Sequence, residues 1–222
     1  MVSIAYAKQN VKIVGTDPGV VATLNGGTHM SFEDVALMRS IPNAVVFEPA
    51  DAATLVGCFE QILNYDGIVY LRLYRKVAPM VHGDNYKPDL FTADVVREGK
   101  DVTVFASGIM VEEALKAADI LAGEGISAEV IDVHTVKPLD EKTVVASVKK
   151  TGAAVTAENH SVMGGLRSAI SECLSENCPT PLESVGVVER FGEVGSLSYL
   201  KESFGLTAKN IVEKAKKAIS RK

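Results

Sequence analysis

Apolar runs of strand length alternate with helix-period segments along almost the whole chain, and that rhythm restricts it to an α/β fold with mostly parallel strands. VKIVGT at 11–16 reads as a buried strand, SFEDVALMRS at 31–40 as a helix, AVVFEP at 44–49 as a strand, DAATLVGCFEQILNY at 51–65 as a helix and IVYLRLY at 68–74 as a strand. Ser31 with Asp34 forms a candidate N-terminal box, and Asp51 before AATLV is a candidate N-cap. The rhythm lapses at 76–94, where KVAPMVHGDNYKPDLFTAD carries two prolines, a GDN turn and mixed charge, the composition of an interdomain crossing.

Beyond the crossing the alternation resumes, with strands expected at 101–108, 127–136, 153–159 and 182–190. Helices are expected at 110–122, 140–150, 164–176, 196–203 and 207–219. The second half therefore reads as a complete α/β unit. The first offers three strands and two helices, with no helix before its first strand, and reads as the back portion of a domain whose edge strand needs a partner. The expected architecture is two three-layer α/β units with mostly parallel sheets, the first truncated at its N-terminus: residues 1–80, a crossing at 81–94, and a second unit over 95–222.

At 222 residues and 47% hydrophobic, the chain can bury one large core or two modest ones. A net charge of −5 and no dense Lys/Arg stripe before the tail argue against a nucleic-acid partner. The lysines at 209, 214, 216, 217 and 222 read as the cationic end of a last amphipathic helix. Cys58, Cys173 and Cys178 are odd in number and follow no common zinc spacing, so reduced thiols in a cytoplasmic protein are expected. No apolar run approaches the roughly 20 residues that span a bilayer, so no membrane contact is expected.

The turn-rich stretch TDPGVVATLNGGTH, directly before an acidic helix, is the chief candidate for chemistry. It is neither GxGxxG nor a P-loop. Gly26-Gly27 can turn the chain tightly and let the backbone approach a ligand. His29 is expected just ahead of a helix N-terminus, which favours an anionic group, and there it can donate to, or exchange a proton with, a substrate hydroxyl near neutral pH. A histidine that caps the loop or packs on the helix is the plainer alternative. Arg75 ends a strand at the rim where open α/β sheets place ligand crevices, and its fork suits a phosphate or carboxylate as well as a surface ion pair.

Arg72 takes a structural role by its alternation, while Asp17 and Asn25 are ordinary turn residues. In the second half Ser107-Gly108 is an anion candidate, and His160 with Glu158, beside Gly164 and Gly165, is an acid/base candidate without a nucleophile or metal set. His134 reads as packed, and His82 has no evident partner.

The segments NVKIVGT, GGTHMSFEDVALMRSIPNAVVFEPADA and DGIVYLRLYR resemble the second part of a transketolase pyrimidine-binding domain. VTVFASGIMVEEALKAADILAGEGISAEVIDVHTVKPLDE, TAENHSVMGGLRSAI and ENCPTPLESVGVVERFGEVG resemble the transketolase C-terminal domain. Order and spacing agree over nearly the whole chain, and the resemblance is to transketolases made as two polypeptides. It implies thiamine diphosphate and a divalent metal, held mainly by a separate domain and not tightly by this chain alone. The family's GDG metal motif is not matched, since Gly83-Asp84-Asn85 lacks the second glycine, and the cofactor-activating glutamate is expected upstream of Met1.

The implied reaction moves a two-carbon ketol unit between sugar phosphates, with this chain inactive alone. By resemblance His29 contacts substrate oxygens near the reacting carbons, Thr28 keeps its motif intact, and Arg75 binds the sugar phosphate. Asn25 stands where the family usually has aspartate. Asp17 stands where it usually has histidine, and an anion there repels a phosphate at close range. The implied partners are an N-terminal transketolase section or subunit and a second copy through the C-terminal domain. A non-catalytic assembly module and the β-subunit of a 2-oxoacid dehydrogenase are the alternatives.

Overall fold

The computed structural model describes residues 1–76, 78–83 and 86–222. Its first sheet is built from β1 (Val11–Thr16), β2 (Val45–Phe47) and β3 (Ile68–Leu73), which run parallel in the order β1-β3-β2. Two helices alternate with these strands, α2 (Asp34–Arg39) and α3 (Ala52–Asn64). The Asp51 carboxylate caps α3 by accepting the Thr54 amide at 2.9 Å, as its position before an apolar helix predicts. The Ser31/Asp34 box does not form: Glu33 occupies the cap position without a side-chain bond, because Asp34 is drawn into an ion pair with Arg72.

Three further departures from the sequence reading bear on the fold. A five-residue helix, α1 (Val2–Tyr6), precedes β1; only Ile4 and Ala5 lean on the core and none of its residues is fully buried, so it is too short to show an apolar period. The segment 76–94 ends in a strand, β4 (Asp94–Arg97), and its GDN turn lies partly outside the described residues. The expected strand at 127–136 is two strands, β6 (Ala128–Asp132) and β7 (Thr135–Lys137). Whereas β6 lies in the second sheet, β7 turns away and pairs antiparallel with β2, completing the first sheet as β1-β3-β2-β7. Among the described residues β3 is the only strand partner of β1, so β1 is a sheet edge.

The second sheet runs β4-β6-β5-β8-β9, with β5 (Val102–Ala106), β6, β8 (Ala154–Ser161) and β9 (Leu182–Val187) parallel and β4 antiparallel at one edge. Its central strands are buried on both faces, and they carry buried polar residues such as Thr103, Glu129 and Glu158 among their apolar ones. Val102, Val104 and Ala106 pack with α4 (Met110–Gly123) and α8 (Ala208–Ile219). Phe105 points the other way, into a core shared with α5 (Glu141–Thr151) and α6 (Leu166–Asn177). That core also takes in Val46, Ile68 and Tyr70 of the first sheet, so one apolar cluster joins the two sheets. The chain closes with α7 (Leu197–Ser203) and α8, whose last turn carries Lys216 and Lys217.

Candidate substrate groove and its buried support

Between β1 and α2 the chain makes a long loop whose neck is tied by the Gly19 amide, which donates to the Ser31 carbonyl at 3.0 Å. The loop tip forms one wall of a groove of about 620 Å³, lined by Asn25 to Glu33 and, from the far end of the chain, by Phe191 and Gly192. Gly26 takes a left-handed φ of 77°, the turn expected of it. Gly27 presses against the chain's own backbone: a Cβ there would lie 2.4 Å from the Gly192 carbonyl oxygen. The close approach that Gly26-Gly27 permits is thus to the opposite wall of the groove.

His29 is exposed within this groove, its Nδ1 sharing a 3.0 Å hydrogen bond with the Thr28 hydroxyl. It is not at a helix N-terminus, because α2 begins only at Asp34. Asn25, Thr28 and His29 are therefore brought together, while Asp17 and Arg75 stand apart from the groove lining and pair with each other. The Asp17 carboxylate accepts the Arg75 backbone amide at 3.1 Å and binds its guanidinium, so the predicted phosphate-binding arginine already holds an anion of its own chain.

Behind the loop lies a polar core that sequence reasoning did not assemble. Arg72 is buried, and its guanidinium binds Glu48 at 2.5 Å and Asp34 at 2.7 Å. Burial opposes the Arg72 charge, but Glu48 and Asp34 more than offset it and raise the guanidinium's pKa further. Burial likewise opposes the charge on Asp34, yet Arg72 and the Tyr70 hydroxyl hold that carboxyl below its usual range. Ser107-Gly108 does serve a carboxylate, but an internal one: the Ser107 hydroxyl donates to Glu48 at 2.8 Å.

Beside this core, Glu158 accepts the Leu166 and Arg167 amides at the start of α6. Burial pushes its carboxyl up to about 8 against those amides, and burial pushes the nearby His160 imidazole down to about 4. His160 is spoken for at both nitrogens, Nδ1 at 2.7 Å from the Ser161 carbonyl and Nε2 accepting the Ala36 amide at 3.4 Å. It bridges β8 and α2 and does not reach the groove lining. His82 does have a partner, Asp132 at 3.1 Å, and stacks on Tyr86; His134 is buried.

Among the described residues no three His, Cys, Asp or Glu side chains are grouped to ligate a metal ion. No helix among them is long and apolar enough to cross a membrane.

The fold and the groove carry the sequence signature of a known enzyme class. Residues 1–80 match the pyrimidine binding domain of transketolase and residues 92–211 match the transketolase C-terminal domain. The chain is 60% identical to the 6-deoxy-6-sulfo-D-fructose transketolase subunit SqwH of Clostridium sp., covering 99% of this chain and 68% of that protein. It is 33% identical to one subunit of the apulose-4-phosphate transketolase of Phocaeicola vulgatus, covering 96% of this chain and 69% of that one. A solved split-gene transketolase, described as an inactive beta4 tetramer, superposes with a TM-score of 0.91 at 45% identity over 97% of this chain and 69% of that chain. The chain belongs to the transketolase family, whose members depend on thiamine diphosphate. It corresponds to the C-terminal section of a ketol-transferring enzyme of the split type, and it spans about two thirds of the length of these relatives.

Proposed function

We propose that the groove at His29 receives the reacting end of a ketose whose far end carries an anionic group, and that it works only when assembled with an N-terminal transketolase section. The observation that carries this is the convergence of Asn25, Thr28 and His29 on one groove with an exposed imidazole. When bound, thiamine diphosphate with its divalent metal supplies the electron sink for breaking and making the carbon–carbon bond. This chain's part is to hold the sugar: His29 exchanges hydrogen bonds with substrate hydroxyls, Thr28 fixes the ring through Nδ1, and Asn25 offers both an acceptor and donors.

For the anionic end we favour a sulfonate over a phosphate. The 60% identity to a sulfosugar transketolase subunit supports this, and so does the Asp17–Arg75 pair, in which the carboxylate offsets the charge of the arginine fork. Such a fork suits a sulfonate monoanion better than a phosphate near two negative charges. The isolated chain is without turnover in this reading, which the relative described as an inactive tetramer supports. We further propose boundaries of 1–80, 81–94 and 95–222, self-association through the last of these, and a cytoplasmic setting consistent with three free cysteines.

The test is ketol transfer by the chain reconstituted with its N-terminal section. His29→Ala is expected to lower kcat/KM by about a hundredfold or more, within the usual range for a positioned acid–base group. An unchanged rate overturns the role of the groove. A preference for the 6-phosphate over the 6-sulfonate ketose overturns the substrate assignment alone.

A further inference from the structure

The loop bearing His29 is gripped at both ends by groups from outside it. On the leaving side, Asn159 of β8 accepts the Val20 amide through Oδ1 at 3.0 Å and donates from Nδ2 to the Pro18 carbonyl at 3.0 Å. On the returning side, Arg72 donates from Nη2 to the Ser31 carbonyl at 3.3 Å and to the Asn159 carbonyl at 2.9 Å. The Gly19–Ser31 hydrogen bond lies between these two grips. Asn159 is 1% exposed, so its carboxamide has exchanged water for those partners.

Gly19 shows how closely the grip is fitted. It has a left-handed φ of 58°, and a Cβ on it would lie 2.3 Å from Asn159 Oδ1. By contrast Leu24, Thr28 and His29 at the tip are exposed. The tip also leans on the far end of the chain, where the Gly195 amide donates to the Thr23 carbonyl at 3.1 Å, but the side-chain hydrogen bonds to the leaving half of the neck come from a single carboxamide.

We propose that Asn159, a residue of the second sheet, is a positioning residue for the first: it holds Pro18 and Val20 against the Arg72-held Ser31 and so sets where His29 stands in the groove. The proposal rests on reading that groove as the substrate site. A carboxamide suits the position because it offers a donor and an acceptor side by side. Aspartate would keep the acceptor for Val20 but set an anion against the Pro18 carbonyl, and alanine would lose both bonds.

In the enzyme reconstituted with its N-terminal section, Asn159→Ala and Asn159→Asp are expected to lower kcat at least tenfold with a smaller change in KM, since a displacement of about 1 Å can cost about a hundredfold. In the full chain, amide exchange at Val20 and across 22–31 is expected to quicken tenfold or more. Val148→Ala, a buried truncation on α5 away from the loop, is the control for general destabilisation and is expected to keep kcat and the loop's protection. Asn159→Asp, close in shape to asparagine, keeps the test open where the alanine variant does not fold. If His29→Ala abolishes transfer while both Asn159 variants keep wild-type kcat or loop protection, the positioning role is overturned and the groove reading stands. If His29→Ala is silent, the groove reading falls, and the positioning role falls with it.

Discussion

Arg72 and Glu48 form an ion pair inside the molecule: Nη1 lies 2.5 Å from Oε1, and the two side chains are 0% and 6% exposed. Removing the arginine leaves Glu48 and Asp34 both in need of a cation in a dry setting. Arg72→Met is expected to destabilise the chain by about 3–5 kcal/mol, the usual cost of breaking a buried pair from one side. Glu172→Ala, which removes the exposed partner of Arg39, is expected to cost within about 1 kcal/mol. Urea midpoints of the two variants measure the contrast.

Gly19→Ala meets two obstacles, a left-handed φ and Asn159 Oδ1 at 2.3 Å from the new Cβ. The first costs about 1–2 kcal/mol alone, so a loss of more than about 2 kcal/mol is expected. In an Asn159→Ala background the carboxamide is gone, and the same substitution is expected to cost less. A double-mutant cycle on thermal or urea unfolding reads that coupling.

The order of strands and helices is legible because strand-length segments rich in Val, Ile, Ala and Phe alternate with helix-period ones, and because Asp51 and the Gly26-Gly27 turn act through local chemistry. Three things are not legible, and each is a long-range choice. The break between Asp132 and Thr135 that sends β7 to the first sheet lies in a run that alternates without a turn signal, so period alone cannot mark it. Asp34 reads as the partner of Ser31 in an N-terminal box because nothing local announces an arginine 38 positions away. Phe191 and Gly192 face His29 across the groove only through the packing of the far end of the chain. Of the five site residues read from sequence, Asn25, Thr28 and His29 share the groove, and Asp17 with Arg75 makes a separate pair.

His160 gives the fold a pH dependence with a definite sign. Burial, aided by the charge of Arg72, holds its imidazole down to about 4, from the ordinary histidine value of 6.5. Between those values the unfolded chain takes up a proton that the folded one refuses, so this contribution is complete above pH 6.5 and is lost as pH falls towards 4. Glu158, raised to about 8 from 4.5, contributes the opposite slope, losing stability as pH rises through that window. The measurement is therefore a difference: from pH 7 to pH 5 wild type is expected to lose about 1–2 kcal/mol more than His160→Gln, at about 1.4 kcal/mol per unit of pKa shift. Equal losses would remove His160 from the account.

Asp17 is the residue on which substrate choice is most directly tested. Its φ of 54° is a conformation that asparagine tolerates, so Asp17→Asn is expected to keep the backbone and an acceptor for the Arg75 amide while removing one negative charge. The Asp17–Arg75 pair is partly exposed, with the arginine side chain 67% accessible, so stability is expected to change by less than about 1 kcal/mol. What changes is the field at the guanidinium. With Asp17 neutralised, the positive charge of Arg75 is no longer offset by a neighbouring carboxylate, and the pair's net charge of +1 favours a phosphate dianion more than a sulfonate monoanion. In the reconstituted enzyme the kcat/KM ratio of the 6-phosphate to the 6-sulfonate ketose is expected to rise several-fold, chiefly through KM for the phosphate. A ratio that stays fixed would mean that Arg75 does not meet the anionic end of the sugar, and that selection between the two anions is made elsewhere in the assembled enzyme.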